Sequence, residues 1–288
     1  MKFYTGRIKR KIFLLLLMTI TAGSLTAGYF FGPAAEESAA GVQEGLFLPI
    51  IMYHSVVNAG DETGMYVVSA RMLEEDLKWL KKQGYETVFI SEVIDYVKHG
   101  SPLPEKPVMI TFDDGMLNSM QTAFSVMERY RAKGVYSVVG KYCQGEYGYM
   151  DWSDLSAFEA KELVEIQNHS YDMHELGTRR GSGRRKGEGV SEYVRKFASD
   201  TSQMQLLLKE NCGIIAQCYT YPFGIISEES VPVLEALGFE ASLSCYEKPN
   251  YLIQGDPDSL FLLNRYNRSG TLSTEDFMEK VMRKEALS

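Results

Sequence analysis

Three of the four histidines and one aspartate pair fall just past predicted strands. His54 follows the apolar run Leu48–Tyr53, Asp113-Asp114-Gly115 follows Val108–Phe112, and His169 and His174 follow Val164–Asn168. In a parallel βα fold, chemistry gathers at the C-terminal ends of strands. These five residues are therefore expected on one rim. Two imidazoles and a carboxylate make a 2-His-1-carboxylate metal site with open positions. Such a site can generate hydroxide near neutral pH and polarise a carbonyl. Adjacent side chains on a strand point to opposite faces, so Asp113 and Asp114 cannot both face one ion. One can ligate while the other acts as a base. Taken alone, Asp-Asp-Gly reads as a turn, and His54 as a satisfied core histidine. The buried run before each of them and the matching histidines elsewhere favour function. His99, beside Gly100, reads as a cation at a helix end and receives no role.

The elements that must hold these residues alternate. Strands are expected at Leu48–Tyr53, Thr87–Ile90, Val108–Phe112, Val135–Val139, Val164–Asn168, Gln217–Tyr221, Ala241–Cys245 and Leu260–Leu263. Helices are expected at Ser69–Gln83, Ser91–Lys98, Ser119–Arg131, Trp152–Glu162, Ser191–Lys209, Glu228–Leu237 and Thr274–Lys284. Ser69 is the expected N-cap of the first helix, with Met72, Leu73, Leu77 and Leu80 on one face and Gly84 as its end. Repeated βα units predict a mostly parallel sheet under helices, closed or nearly closed into a barrel. No internal repeat and no second domain is evident. The stretch Thr178–Gly189 interrupts the pattern with five cations, several glycines and no apolar residue. It reads as a mobile surface loop, with contact to an anionic polymer as the alternative.

The 288-residue chain has 45% apolar residues, enough for a sizeable core, which excludes a disordered or fibrous protein. Residues 1–32 carry Lys2, Arg7, Lys9, Arg10 and Lys11 and no acid, which leaves 25 cations against 38 acids (−13) in the remainder. A body this acidic is a poor nucleic-acid binder. The cations precede an uncharged run from Ile12 to Ala35. Residues 1–32 therefore read as a signal-anchor or a cleaved signal peptide, with the body outside the cytoplasm in either case. Residues 33–45 read as a flexible spacer and residues 46–288 as the catalytic domain, expected to be a monomer. Cys143, Cys212, Cys218 and Cys245 lack CxxC spacing, so a thiolate zinc site is not expected; a Cys212–Cys218 disulfide is left open.

Thr111-Phe112-Asp113-Asp114-Gly115 and His169-Ser170 with His174 resemble the first two motifs of the polysaccharide deacetylases, carbohydrate esterase family 4 with its NodB-homology domain. Met52-Tyr53-His54-Ser55-Val56, Tyr221-Pro222-Phe223-Gly224 and Leu263-Asn264-Arg265-Tyr266 resemble further landmarks of one branch. The resemblance covers about residues 46–285. It implies an α/β fold, a distorted (β/α) barrel of about seven strands, holding Zn²⁺, with Co²⁺ or Ni²⁺ as alternatives. It implies Asp114, His169 and His174 as ligands, Asp113 as general base and the Phe223 N–H as an oxyanion donor. The family's usual C-terminal acid histidine is absent, because no His follows His174; in the branch resembled, an N-terminal histidine, here His54, takes that role.

Two departures stand out. The family's second motif usually spaces its histidines four apart, whereas His169 and His174 are five apart, about 140° around a regular helix. They must therefore sit on an irregular turn, with Asp172 as the fallback ligand. Arg is also missing before Tyr221-Pro222, where many members use one to hold the base, and Arg265 is the candidate substitute. Tyr221, Trp152 and Arg265 are the expected substrate contacts, and Tyr147, Tyr149 and Trp152 a candidate sugar platform. The implied activity is N-acetyl removal from an N-acetylglucosamine-containing polysaccharide at or outside the membrane. The alternatives are an inactive polysaccharide-binding wall protein and an O-acetyl esterase. A metallophosphoesterase is disfavoured, because it usually needs two metals and more clustered ligands.

Overall fold

The computed structural model describes residues 45–177 and 179–284. The expected N-terminal segment over 1–32 and nearly all of the 33–45 spacer lie outside the described residues. Among those described, no helix is long and apolar enough to cross a membrane.

Seven parallel strands form the main sheet: β1 (Ile50–Tyr53), β2 (Pro107–Phe112), β3 (Gly134–Val138), β4 (Val164–Asn168), β5 (Cys218–Thr220), β6 (Ala241–Leu243) and β7 (Tyr266–Asn267). Their order is β6-β5-β4-β3-β2-β1-β7, with a short strand at Glu86–Thr87 pairing beside the start of β2. The segment around β7 touches both edges of this sheet. Tyr266 pairs with Ile51 of β1, and Leu263 bridges in parallel to Leu243 of β6. That double contact draws the sheet into a distorted barrel.

Burial on both strand faces explains why these runs read as continuous apolar stretches rather than alternating ones. In β2 all six residues are buried. Ile50, Met109, Val135, Cys218 and Ala241, each from a different strand, join one inner cluster, which is filled by Ile90, Val93, Ile94 and Val97 of helix α2 (Ile90–His99). The alternate residues Ile51, Ile110, Tyr136, Ile166 and Tyr219 join the outer cluster beneath the remaining helices.

Helix α1 (Ala70–Lys82) starts as its sequence dictates: Ser69 Oγ accepts the Met72 N–H at 3.3 Å, and Leu73, Leu77 and Leu80 are buried. The helix expected over 119–131 begins instead with a π-turn over Ser119–Ala123 before α3 (Phe124–Tyr130). Helices α4 (Trp152–Glu159), α5 (Val190–Cys212), α6 (Ser230–Ala236) and α7 (Thr274–Val281) follow expectation within a few residues.

Two expectations need correction, and one open question is settled. Residues 260–263 do not form the last strand. Pro257–Leu260 is a short 3-10 turn capped by Asp256, and Leu262 takes a positive φ of 60°, so pairing moves on to β7. The cation-rich stretch keeps Arg180, Arg184 and Lys186 exposed at the surface, but it is anchored rather than free along its length. Arg179 is buried with its guanidinium on Glu188 and on the Gly183 carbonyl, while Tyr193 donates to the Ser182 carbonyl. Cys212 and Cys218 are not bridged, and all four cysteines are free. Cys218 faces the barrel interior, whereas Cys212 packs among the outer helices.

Candidate active site

The β-strand ends deliver the predicted residues to one cleft of about 540 Å³, lined by His54, Asp113, Asp114, His169, His174 and Phe223 among others. The Asp113 N–H donates to the Tyr53 carbonyl at 3.0 Å, and the His169 N–H to the Val138 carbonyl at 3.0 Å. Each strand's ladder thus fixes where the next strand's functional side chain emerges.

Two residues of the cleft, Asp114 (φ 72°) and Phe223 (φ 55°), and Ser170 (φ 73°), buried next to His169, occupy the left-handed region without being glycine. Such backbone is uncommon outside glycine, with Asp the better tolerated, and it clusters at functional sites. At Asp114 it breaks the strand alternation and swings this carboxylate away from Asp113. Gly115 follows at φ 77°, and a Cβ there would lie 3.1 Å from Val138.

Asp114 Oδ1 lies 3.1 Å from His174 Nε2 and 3.5 Å from His169 Nε2. It is buried and has no hydrogen-bond partner among the described residues. One ligand atom from each of the three residues falls within 4.8 Å of the others. Zn–N and Zn–O bonds of about 2.0–2.2 Å place ligand atoms roughly 3–3.5 Å apart, so this donor set fits one divalent ion. His169 Nδ1 lies 2.8 Å from the Thr220 carbonyl, which can only accept. The proton therefore sits on Nδ1, and Nε2 is left as the lone-pair donor facing Asp114. Burial alone would raise the Asp114 carboxyl; His169 and His174 beside it hold it well below the usual carboxylate range. Burial lowers His169, but Asp114, Asp113 and the Thr220 carbonyl together shift it up.

The extra residue between the histidines is absorbed by an irregular turn. The Ser170 N–H donates to Asn168 Oδ1 at 2.8 Å, and Ser170 Oγ accepts the Met173 N–H at 3.2 Å. Asp200, from α5, receives the Tyr171 and Asp172 N–H groups at 2.9 and 2.8 Å. Asp172 points away from the cluster and pairs with Lys141 at 2.7 Å, so it is not the third donor.

Asp113 is held separately. Arg265 grips it with two bonds, Nη1–Oδ1 at 2.7 Å and Nη2–Oδ2 at 2.8 Å, both side chains being buried. The same guanidinium donates to Thr111 Oγ1 and to the Ser244 carbonyl. Burial pushes the Asp113 carboxyl up, but Arg265 and His169 together bring it below its ordinary value. Burial lowers the His54 imidazole further than the nearby Asp113 and Asp114 raise it. Its Nδ1 is buried without a partner among the described residues, and its ring meets Tyr66 edge-on at 4.9 Å.

Several expected substrate contacts are displaced. Arg265 is fully buried against Asp113, so it positions the carboxylate and does not reach substrate. The Tyr221 side chain is also fully buried, with its hydroxyl 2.7 Å from Ser230 Oγ. Trp152 packs against the outer core, Tyr147 projects into solvent, and Tyr149 packs on Tyr142 at 4.4 Å. None of these last three lines the cleft, whereas Tyr66 does. Asp200, Asn168 and Tyr66 went unnoticed in the sequence. Asn168 directly precedes His169 and offered a local signal; Asp200 and Tyr66 offered none.

Residues 100–242 match the model of the polysaccharide deacetylase family. Over 218 residues the chain is 22% identical to a poly-beta-1,6-N-acetyl-D-glucosamine N-deacetylase of Escherichia coli K12, covering 66% of this chain and 32% of that protein. It is 24% identical over 196 residues to the protein of the same name from Staphylococcus aureus MRSA252, covering 66% of this chain and 65% of that one. The chain thus spans about a third of the first relative and just under two thirds of the second. Among solved structures, the Streptococcus pyogenes deacetylase PplD in complex with acetate superposes with a TM-score of 0.68 at 17% identity, over 83% of this chain and 100% of that one. With the TFDDG strand end and the paired histidines in place, residues 100–242 belong to the polysaccharide deacetylase family.

Proposed function

We propose that the protein hydrolyses N-acetyl groups of an N-acetylglucosamine-containing surface polysaccharide, with poly-β-1,6-N-acetylglucosamine or peptidoglycan as substrate. The observation that carries this reading is the pairing, in one cleft, of an Asp114–His169–His174 donor set with a second carboxylate, Asp113, clamped by Arg265. The names of the E. coli and S. aureus relatives support the amide of N-acetylglucosamine as the bond attacked. The basic, then apolar, N-terminus supports an extracytoplasmic location, anchored or secreted.

Asp114, His169 and His174 would hold a divalent ion, Zn²⁺ first and Co²⁺ or Ni²⁺ as alternatives. When bound, that ion supplies Lewis acidity and water of lowered pKa. Asp113 accepts the proton of the attacking water, and Arg265 keeps its two oxygens in one orientation. The Phe223 N–H donates to the oxygen that gains charge as the acetyl carbon becomes tetrahedral. His54 donates a proton to the departing nitrogen, so that glucosamine and acetate leave. Burial holds the His54 imidazole low, which favours giving the proton up.

An inactive wall-binding role would rest on the lengthened histidine spacing and the missing arginine. The Ser170 turn and Arg265 now supply a physical counterpart to each. The test is acetate release from poly-N-acetylglucosamine, peptidoglycan, chitin oligomers and acetylxylan, with and without chelator. Chelator-sensitive release from the first two is the expected result. Release from acetylxylan alone would make the protein an O-acetyl esterase, and release from none would leave the inactive role.

A further inference from the structure

The cation-rich strap from Arg179 to Gly189 takes no part in the chemistry proposed above, yet it is built onto the loop that carries Phe223. Gly181 has a φ of 59°, and a Cβ there would stand 2.5 Å from the Pro222 carbonyl oxygen. Ser182 Oγ donates to the Ile225 carbonyl at 3.3 Å, and the Arg184 N–H to Ser227 Oγ at 2.8 Å. Buried Glu188 accepts the Arg185 N–H at 2.9 Å and also the Arg179 guanidinium. The backbone of the strap is therefore fixed, and so are the roots of the side chains it carries. Side chains rooted this firmly lose less freedom when they meet a ligand.

The charges of the strap are only partly neutralised. Five cations stand against one acid, on a chain whose net charge beyond residue 32 is −13. Arg179 pairs with Glu188, and Arg184 with Glu229 at 3.2 Å. Arg180, Arg185 and Lys186 form no ion pair among the described residues. Most acids that border the same cavities are already engaged. Asp172 and Glu175 face Lys141, Asp200 holds two backbone N–H groups, and Glu247 pairs with Lys280; Glu228 is the exception.

The three unpaired cations do not converge on one point. Arg180 lines the catalytic cleft. Lys186 lines an outer groove of about 600 Å³ beside Ser227, and Arg185 lines both that groove and a neighbouring one with Lys196. One small anion cannot meet all three, whereas a chain with an anionic group on successive units can. Guanidinium and ammonium groups suit carboxylates. Because Arg180 borders the cleft itself, the chain that meets the strap is the polymer being deacetylated. Deacetylation of a neutral polymer makes it cationic, and these side chains repel such a product. We propose that Arg180, Arg185 and Lys186 recognise carboxylates on substrate units beyond the reacting sugar. The substrate is then an anionic glycan, peptidoglycan rather than neutral poly-N-acetylglucosamine. This rests on the deacetylase reading.

The test uses the full-length, metal-loaded protein in the Asp113→Asn background, which prevents turnover. Calorimetry at low salt compares three ligands: a hexasaccharide of alternating N-acetylglucosamine and N-acetylmuramic acid, its carboxyl methyl ester, and chitohexaose. The ester keeps the bulk of the lactyl group and removes its charge. The free acid is expected to bind about threefold to thirtyfold more tightly than the ester, the sum of a few exposed charge pairs. The triple variant Arg180→Gln/Arg185→Gln/Lys186→Gln should bring that ratio close to one, and so should about 0.5 M salt, which screens exposed charges. Equal affinity of the parent for acid and ester overturns the proposal, as does a ratio that the triple variant retains, or no binding of any ligand. Equal affinity joined to binding of phosphatidylglycerol vesicles that the triple variant loses would assign the strap to a lipid surface instead. Acetate release by the unsubstituted protein reports separately on the deacetylase reading. Release without a preference for the acid defeats the strap proposal alone, and a preference without release defeats the deacetylase reading alone.

Discussion

Replacing Arg265 by Met removes a guanidinium that makes two bonds of 2.7 and 2.8 Å to a carboxylate of which only 3% of the side-chain surface is exposed. The carboxylate meets solvent only through the cleft it lines, because the barrel encloses it elsewhere. Breaking a buried pair from one side strands the other charge, at a cost of about 3–5 kcal/mol. Against a total stability of roughly 5–15 kcal/mol, this is a large fraction. At about 2–4 °C per kcal/mol for a domain of this size, the melting temperature should fall by roughly 6–20 °C. The double variant Asp113→Asn/Arg265→Met removes both charges. It should recover much of the loss, because no uncompensated ion remains.

The assay is urea unfolding of wild type, both single variants and the double variant, carried out in chelator so that metal binding does not contribute. A cost below about 1 kcal/mol for Arg265→Met would mean that Asp113 is solvated or otherwise paired. A double variant no more stable than Arg265→Met would show that the loss comes from packing of the arginine stem rather than from stranded charge. Activity supplies the second measurement. Asp113→Asn should keep its metal and lose turnover by about 10²–10⁴-fold, the usual consequence of removing a general base. Retained turnover would reassign the base.

Elemental analysis should find about one divalent ion per chain; His174→Ala should lose it and Asp172→Ala should retain it, because Asp172 pairs with Lys141. Metal loss from Asp172→Ala instead would overturn the ligand assignment. His54→Ala should bind metal normally and lose amide hydrolysis, while losing far less against an aryl acetate, whose leaving group needs no proton; equal losses would make His54 a positioning residue. Glu159, where burial raises the carboxyl from 4.5 to about 7, prefers its neutral form in the fold. Its contribution is therefore full at acid pH and is lost as pH rises through that window. Glu159→Gln should show a flatter urea midpoint than wild type between pH 5 and 8, and parallel midpoints would refute the assignment.

What the sequence disclosed follows from how parallel strands bury their residues. Apolar runs such as Val108–Phe112 are continuous because both faces are covered, so the first polar residue after each marks a strand end on the active rim. That rule located His54, Asp113 and Asp114 without any pairing information, whereas His169 follows an alternating strand, Val164–Asn168. It failed where position depends on contacts distant in sequence. Arg265, 152 residues from Asp113, is named as the holder of the base only through the family resemblance, and Tyr221, which sits just past a strand, turns its ring into the core rather than the cleft. The aromatic cluster at 147–152 failed for a related reason. Asp151 caps α4 and turns Trp152 toward the outer core, so proximity in sequence says nothing about the cleft.

The His169–His174 spacing shows how a local irregularity is compensated by distant groups. On a helix the fifth residue would point away from the first. Here Ser170 enters the left-handed region, a conformation that costs a non-glycine residue of the order of 1 kcal/mol. Three hydrogen bonds offset that cost: Asn168 receives the Ser170 N–H, and Asp200 receives the next two. The Lys141 and Gly140 N–H groups, in the loop after β3, bind the Tyr171 and Ser170 carbonyls at 2.8 and 3.0 Å from the other side. The backbone of the turn is therefore satisfied in its bent form, and His174 Nε2 is returned to 3.1 Å from Asp114. The donor geometry is thus set by Asp200 on α5 and by the loop after β3 as much as by the two histidines, and neither of these supports lies within the motif that announces the site.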